Sequence, residues 1–211
     1  MTSCIDHIVI VAPTLDIGIE HVYNSLGAMP QKGGEHDKMG THNYLLNLGN
    51  SIYLEVIAIN PAASKPGRPR WFGLDKLEMH SKPRLLTWVV RTQDIRTANQ
   101  HSLIDLGNKE NMSRADINWL ITIRSDGSLP CDGVAPSLIE WPSKFHPTSS
   151  LPDLGYSLVR LEGFHEESEA ISTTLRSIDF EGSFSIHSIQ QSVKPFLIAY
   201  IQTPNGICRL E

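Results

Sequence analysis

Two apolar, β-branched runs near the N-terminus each carry one side chain able to bind a metal or move a proton at neutral pH. These are His7, within residues 5–13, and Glu55, within residues 51–58. A carboxylate in the middle of a buried strand costs several kcal/mol unless a cation, a proton or a donor pairs with it. That cost marks Glu55 as part of a site. Glu140, in the run 137–141, reads as holding the same late position in a second strand. One imidazole and two carboxylates can hold a hard or borderline divalent ion with positions left for water and substrate, or move a proton at a carbon beside a carbonyl. Taken alone, His7 beside Asp6 reads more readily as a structural histidine bonded to a backbone carbonyl than as a ligand.

Other residues offer contacts rather than chemistry. His42 and Asn43 would line the mouth of a cleft, although a Gly-Thr-His-Asn turn can also exist for its backbone. Trp88 and Trp119 read as cleft walls or core, Arg114 as a ligand for an anionic group or a solvated cation, and His146 before Pro147 as a loop residue. The chain has no Gly-x-Ser-x-Gly elbow, phosphate loop, dinucleotide fingerprint or His-Glu-x-x-His helix. Cys4, Cys131 and Cys208 are too widely spaced for a disulfide framework or a zinc set, so all three are expected reduced and outside any metal site. The odd spacing of Cys4 and His7 on one strand predicts opposite faces, which argues against a cysteine nucleophile.

Positioning these residues calls for a repeated scaffold. After the first strand, apolar residues at Ile19, Val22, Tyr23 and Leu26 predict a helix capped by Thr14 or Asp16 and closed at Gly27. A turn at Gly33-Gly34, a strand over 44–48, a Gly49-Asn50 turn and the Glu55 strand complete a first unit, residues 1–60. Residues 61–83 are proline-rich and charged, with an apolar island at 71–74, and read as a linker. The same order then returns over residues 84–148. It comprises a strand at 85–90, a helix at 92–106 ending before Gly107, and strands at 117–123 and 137–141, which amounts to an internal duplication. Residues 149–211, with a strand at 157–161, a helix at 166–178 and strands at 184–189 and 196–202, read as a partial third copy packed on the same domain.

This order resembles the paired βαβββ modules of the vicinal-oxygen-chelate superfamily. The stretch Gly33-Gly34-Glu35-His36 through Gly40-Thr41-His42-Asn43, then Leu45-Leu46 and residues 53–58, is similar to its glyoxalase-like domain group. So are Arg91-Thr92-Gln93-Asp94, Ser113-Arg114, residues 133–141 and His146-Pro147. The resemblance implies an α+β fold whose curved mixed sheets surround a cleft, with a divalent metal held by the first and last strands of each module. It places ligands on His7, Glu55 and Glu140, and puts the fourth position on or beside Thr87, where no good ligand stands. The ion would be Zn, Ni, Co, Mn or Fe, with no organic cofactor. Dioxygen chemistry is disfavoured, because it usually wants two histidines and one carboxylate.

Bulk properties bound the partners. With 211 residues, 40% of them hydrophobic, the chain can bury a sizeable core. Its net charge of −5 and scattered basic residues argue against nucleic acid. The N-terminal apolar stretch is too short for a membrane span or signal peptide, which predicts a cytoplasmic protein. The expected partner is a small oxygen-rich molecule, and a homodimer is left open. The expected activity is isomerase- or lyase-type proton transfer with Glu55 and Glu140 catalytic. The alternative is a metal-free protein that binds or sequesters a small molecule in the same cleft.

Overall fold

Residues 2–115, 117–141 and 146–211 are described by the computed structural model. The first unit folds as β1 (Ser3–Val11), α1 (Leu15–Leu26), β2 (Gln31–His36), β3 (Thr41–Asn47) and β4 (Tyr53–Ile59). The order repeats as β5 (Arg84–Arg91), α2 (Ile95–His101), β6 (Asn108–Arg114), β7 (Ile117–Ile123) and β8 (Ser137–Glu140). All eight strands join one curved sheet in the order β2-β3-β4-β1-β5-β8-β7-β6. β1 is parallel to β4 and β5 to β8, while β1 and β5 run antiparallel at the centre. The fold is therefore α+β, with two βαβββ units joined side by side into a half-barrel.

Local signals explain most boundaries. The Thr14 hydroxyl caps α1 by accepting from Ile17 N, and Gly27, at φ 74°, ends it with its N–H on Tyr23 O. Asp94 caps α2 in the same way through Thr97 N. That helix is shorter than the pattern over 92–106 suggests, because the Ser102 hydroxyl bonds both N–H and O of Ile104 and turns the chain. Gly33 and Gly34 lie in an edge strand, β2, rather than in a turn.

Alternation divides the sheet into two faces. On the convex face Ile8, Ile10, Leu54, Val56, Trp88, Val90 and Leu138 pack against α1 and the C-terminal third. That third comprises β9 (Ser157–Phe164), α3 (Ser168–Ser177), β10 (Phe180–Glu181), β11 (Phe184–His187), β12 (Phe196–Thr203) and β13 (Gly206–Leu210). Apart from β10, which pairs with the start of β1, it builds a second sheet, β11-β9-β12-β13. Leu161, Ile171, Leu197 and Ile201 of this part join the convex core, each fully buried aliphatic stabilising by roughly 1.5–3 kcal/mol. It begins with a strand and a helix like the other units, but β11, which follows the helix, takes the parallel place beside β9 that the last strand takes in those units, and β12 pairs on the far side of β9.

The concave face has a different covering. Val9, Val11, Ile57, Val89, Trp119, Ile121 and Ile139 meet Trp71, Phe72 and Leu74, the apolar island between the two units, which folds as a single turn (Trp71–Lys76) inside the half-barrel. The edge strands β2 and β6 approach without a backbone ladder among the described residues. Side chains bridge this seam: Lys38, in the turn after β2, donates Nζ to Glu110 of β6 at 2.9 Å, and Arg68 of the segment between the units donates to the same carboxylate at 2.8 Å.

Candidate active site in the concave face

β1 departs from regular alternation where it meets β5. The register shifts between Ile5 and His7, a bulge that leaves Asp6 as an extra residue. Ile5 points into the convex core, while Asp6 and His7 both turn to the concave side. Asp6 is fully buried, and its Oδ1 lies 2.7 Å from His7 Nδ1. Its Oδ2 accepts from Trp141 Nε1 and faces His146 Nε2, both at 3.0 Å, with Arg91 at 3.6 Å. Burial alone would raise the pKa of Asp6, but the His146 and His7 contacts outweigh it and hold the carboxyl below the usual carboxylate range. An ionised Asp6 fixes the Nδ1–H tautomer of His7 and turns Nε2 inward. Tyr53 stacks on the imidazole with ring centroids 4.5 Å apart.

His7 Nε2 faces Glu55 Oε2 at 3.6 Å. Both side chains are almost fully buried, at 3% and 6% exposed. An imidazole lone pair and a carboxylate cannot face each other in a dry cavity without a proton, ion or polar molecule between them. The other Glu55 oxygen accepts from Asn43 Nδ2. Asn43 Oδ1 in turn accepts from Gly34 N at 3.0 Å and from Arg114 Nη1 at 3.2 Å, so the amide orientation is fixed on both ends. The pair opens on a cavity of about 20 Å³, room for one water or a few ligand atoms, walled by His36, Trp71, Trp119 and Trp141. Burial, then the charge of Arg114, pushes the pKa of His36 down to about 3 and keeps that wall neutral.

Of the residues singled out in the sequence, His7, Glu55, Asn43, Arg114 and Trp119 meet around this cavity. Glu140, His42 and Trp88 do not: the first two are corrections, and Trp88 takes the core alternative of its two readings. Glu140 follows Leu138 on the convex side of β8, where its carboxylate accepts Ile95 N at 2.8 Å and caps α2. His42 alternates with Asn43 and so faces away from the cavity. Trp88 is core: its Nε1 donates to Val134 O at 2.8 Å and its ring stacks on Phe184. Asp6 and His146 matter more than the sequence suggested. The bulge that recruits Asp6 breaks the two-residue period, and it also turns Cys4 to the concave side, where Arg91 contacts both Cys4 and Asp6.

Comparison with known proteins settles the family. A glyoxalase-like domain model matches residues 5–178. The chain belongs to the glyoxalase-like domain family. No curated protein sequence matches it. Among solved structures, a hypothetical protein from Staphylococcus aureus superposes with a TM-score of 0.66 at 15% identity, over 100% of this chain and 99% of that one. A triple mutant of 4-hydroxymandelate synthase from Streptomyces coelicolor follows at 0.52 and 13% identity, over 97% of this chain and 60% of that one. Methylmalonyl-CoA epimerase from Mycobacterium tuberculosis gives 0.43 at 19% identity, over 66% and 89%. These likenesses concern the fold. No helix among the described residues is long and apolar enough to cross a membrane.

Within this glyoxalase-like domain, strand register identifies true equivalents between the two units. Ala12 N bonds Ile57 O as Thr92 N bonds Ile139 O, and Val9 pairs with Glu55 as Val89 pairs with Ser137. His7 therefore corresponds to Thr87, and Glu55 to Ser137. Glu140 is three residues beyond that position, which corrects the expected equivalence of the two glutamates. A metal held by both units would find one imidazole, one carboxylate and two hydroxyls, short of the three or four good ligands that catalytic ions usually take. The Arg114 charge, felt at His36 and Tyr53, further opposes a cation. The concave residues do not fit a tightly held divalent ion.

One other group could hold a metal. Cys131, His165 and Glu167 bring ligand atoms within 4.8 Å of one another, against the expectation that no cysteine joins such a cluster. As the group stands, burial pushes the Cys131 thiol up to about 11 and His165 Nδ1 accepts Glu167 N, so an ion there would have to displace the thiol proton and bind His165 through Nε2. The three cysteines are free.

Proposed function

We propose that this protein is an enzyme of the isomerase or lyase type that moves a proton at a carbon beside a carbonyl of a small, oxygen-rich molecule, without a resident metal. The observation that carries this reading is the facing pair of His7 Nε2 and Glu55 Oε2, each fixed from behind by an amide or a carboxylate. Glu55 takes the proton from carbon. His7, protonated on both ring nitrogens for this step, donates Nε2–H to the carbonyl oxygen as charge develops there and returns to the Nδ1–H tautomer that Asp6 holds. Asn43 aims the Glu55 carboxylate. Trp71, Trp119 and Trp141 exclude water, which strengthens each of these interactions.

The test is deuterium exchange into pyruvate and hydroxyacetone in D₂O, monitored by proton NMR. The wild-type protein should accelerate exchange and Glu55→Gln should not. Binding of either compound without exchange would favour the alternative, a protein that only sequesters such molecules, to which the two hydroxyl equivalents Thr87 and Ser137 already lend weight.

A further inference from the structure

Arg114 is the residue common to the inner cavity and to an outer cleft of about 460 Å³ at one end of the β2/β6 seam. Its side chain lies flat across Gly33 and Gly34. A Cβ at Gly34 would sit 2.7 Å from Arg114 Cδ and 2.8 Å from Cγ, and one at Gly33 would overlap Asn43 Oδ1, so both glycines leave the space this arrangement occupies. Among the described residues the guanidinium's one side-chain hydrogen bond is with neutral Asn43, and it has no ion pair. Lys32, Glu35 and Asp37 stand on the same rim, and neither carboxylate is within ion-pair distance of the guanidinium. An arginine fork is shaped to take two carboxylate oxygens at once, and among the described residues no carboxylate uses that capacity.

We infer that Arg114 is both the cover of the inner cavity and the anchor for the carboxylate of an organic acid that enters through the outer cleft between β2 and β6. The inner cavity alone is too small for a substrate, so a ligand needs the volume that opens when Arg114 swings toward the cleft. No backbone ladder has to break, because the seam is held by side chains. A carboxylate on the guanidinium places the adjacent carbon on the side of Asn43 and Glu55, one hydrogen bond further along the same chain of contacts. The ligand class is a small 2-oxo or 2-hydroxy carboxylate. This inference rests on the proposed acid–base reading of the site for the chemistry after binding, but not for the binding itself.

The experiment is titration of pyruvate, 2-oxobutanoate and phenylpyruvate, each beside its neutral amide, monitored by the fluorescence of the cavity tryptophans. At least one acid should bind the wild type at least tenfold more tightly than its amide. Arg114→Gln should erase that preference, and Arg114→Lys, which keeps the charge without the fork, should restore part of it. Gly34→Ala, which pushes Arg114 from its resting place, should change acid affinity more than amide affinity. Equal binding of acids and amides, an unchanged preference in Arg114→Gln, or no binding of any acid would each overturn the inference. Carboxylate-selective binding without deuterium exchange would instead fault the acid–base reading and leave this one standing.

Discussion

The two βαβββ units share topology, helix caps and the same backbone bond between first and last strand, yet they present opposite chemistry at equivalent points. In the first, His7 and Glu55 face each other, backed by Asp6 and Asn43. In the second, Thr87 and Ser137 are buried, and the Thr87 hydroxyl has no hydrogen-bond partner among the described residues. β5 carries the matching bulge, but its extra residue beside Thr87 is Leu86 where β1 has Asp6, so no carboxylate is supplied there. One scaffold thus tolerates either a charged pair or two small hydroxyls. What distinguishes the units is the set of supporting partners, because a buried charge persists only where another group meets it.

Substitutions should reproduce this asymmetry. Glu55→Gln and His7→Gln are each expected to lower deuterium exchange by about 10²–10⁴-fold, while Ser137→Ala changes it less than about threefold. Comparable losses from both units would break the contrast. Asp6→Asn should cost about 10–100-fold through lost orientation of His7, with ligand binding retained in the same titration.

Stability should obey the same division. His36, beside the charged pair, has its pKa lowered to about 3 in the fold, against about 6.5 for a free imidazole. The unfolded chain therefore binds more protons between those values, and stability should fall on acidification through that window. The slope is at most about 1.4 kcal/mol per pH unit. Urea unfolding across the window should show this slope, and His36→Gln should flatten it. In the quiet unit, Thr87→Val removes an unpaired buried hydroxyl and should stabilise the protein by roughly 1 kcal/mol. A destabilised Thr87→Val would mean that the hydroxyl has a role on the concave face.

The sequence made the scaffold and half of the site legible, for identifiable reasons. Strand alternation and caps such as Thr14 and Gly27 are local, and a glutamate in an apolar strand announces a partner wherever it lies. Glu140 misleads because the visible end of a strand does not give its register. β8 is short, and only its register against β5 shows that Ser137 is the counterpart of Glu55. Asp6 and His146 depend on a bulge and on a contact between distant parts of the chain, neither of which leaves a periodic trace. Gly33 and Gly34 carried a turn signature, yet their lack of side chains serves Arg114 and Asn43 across a sheet edge.

The central claim is that His7 and Glu55 of one unit perform proton transfer while the other unit contributes no metal ligand. The most direct measurement is the deuterium-exchange rate before and after exhaustive chelation and gel filtration, with metal content determined on the same sample. An unchanged rate at substoichiometric metal is the predicted result. A rate that vanishes with the metal and returns on adding a divalent ion would contradict the account.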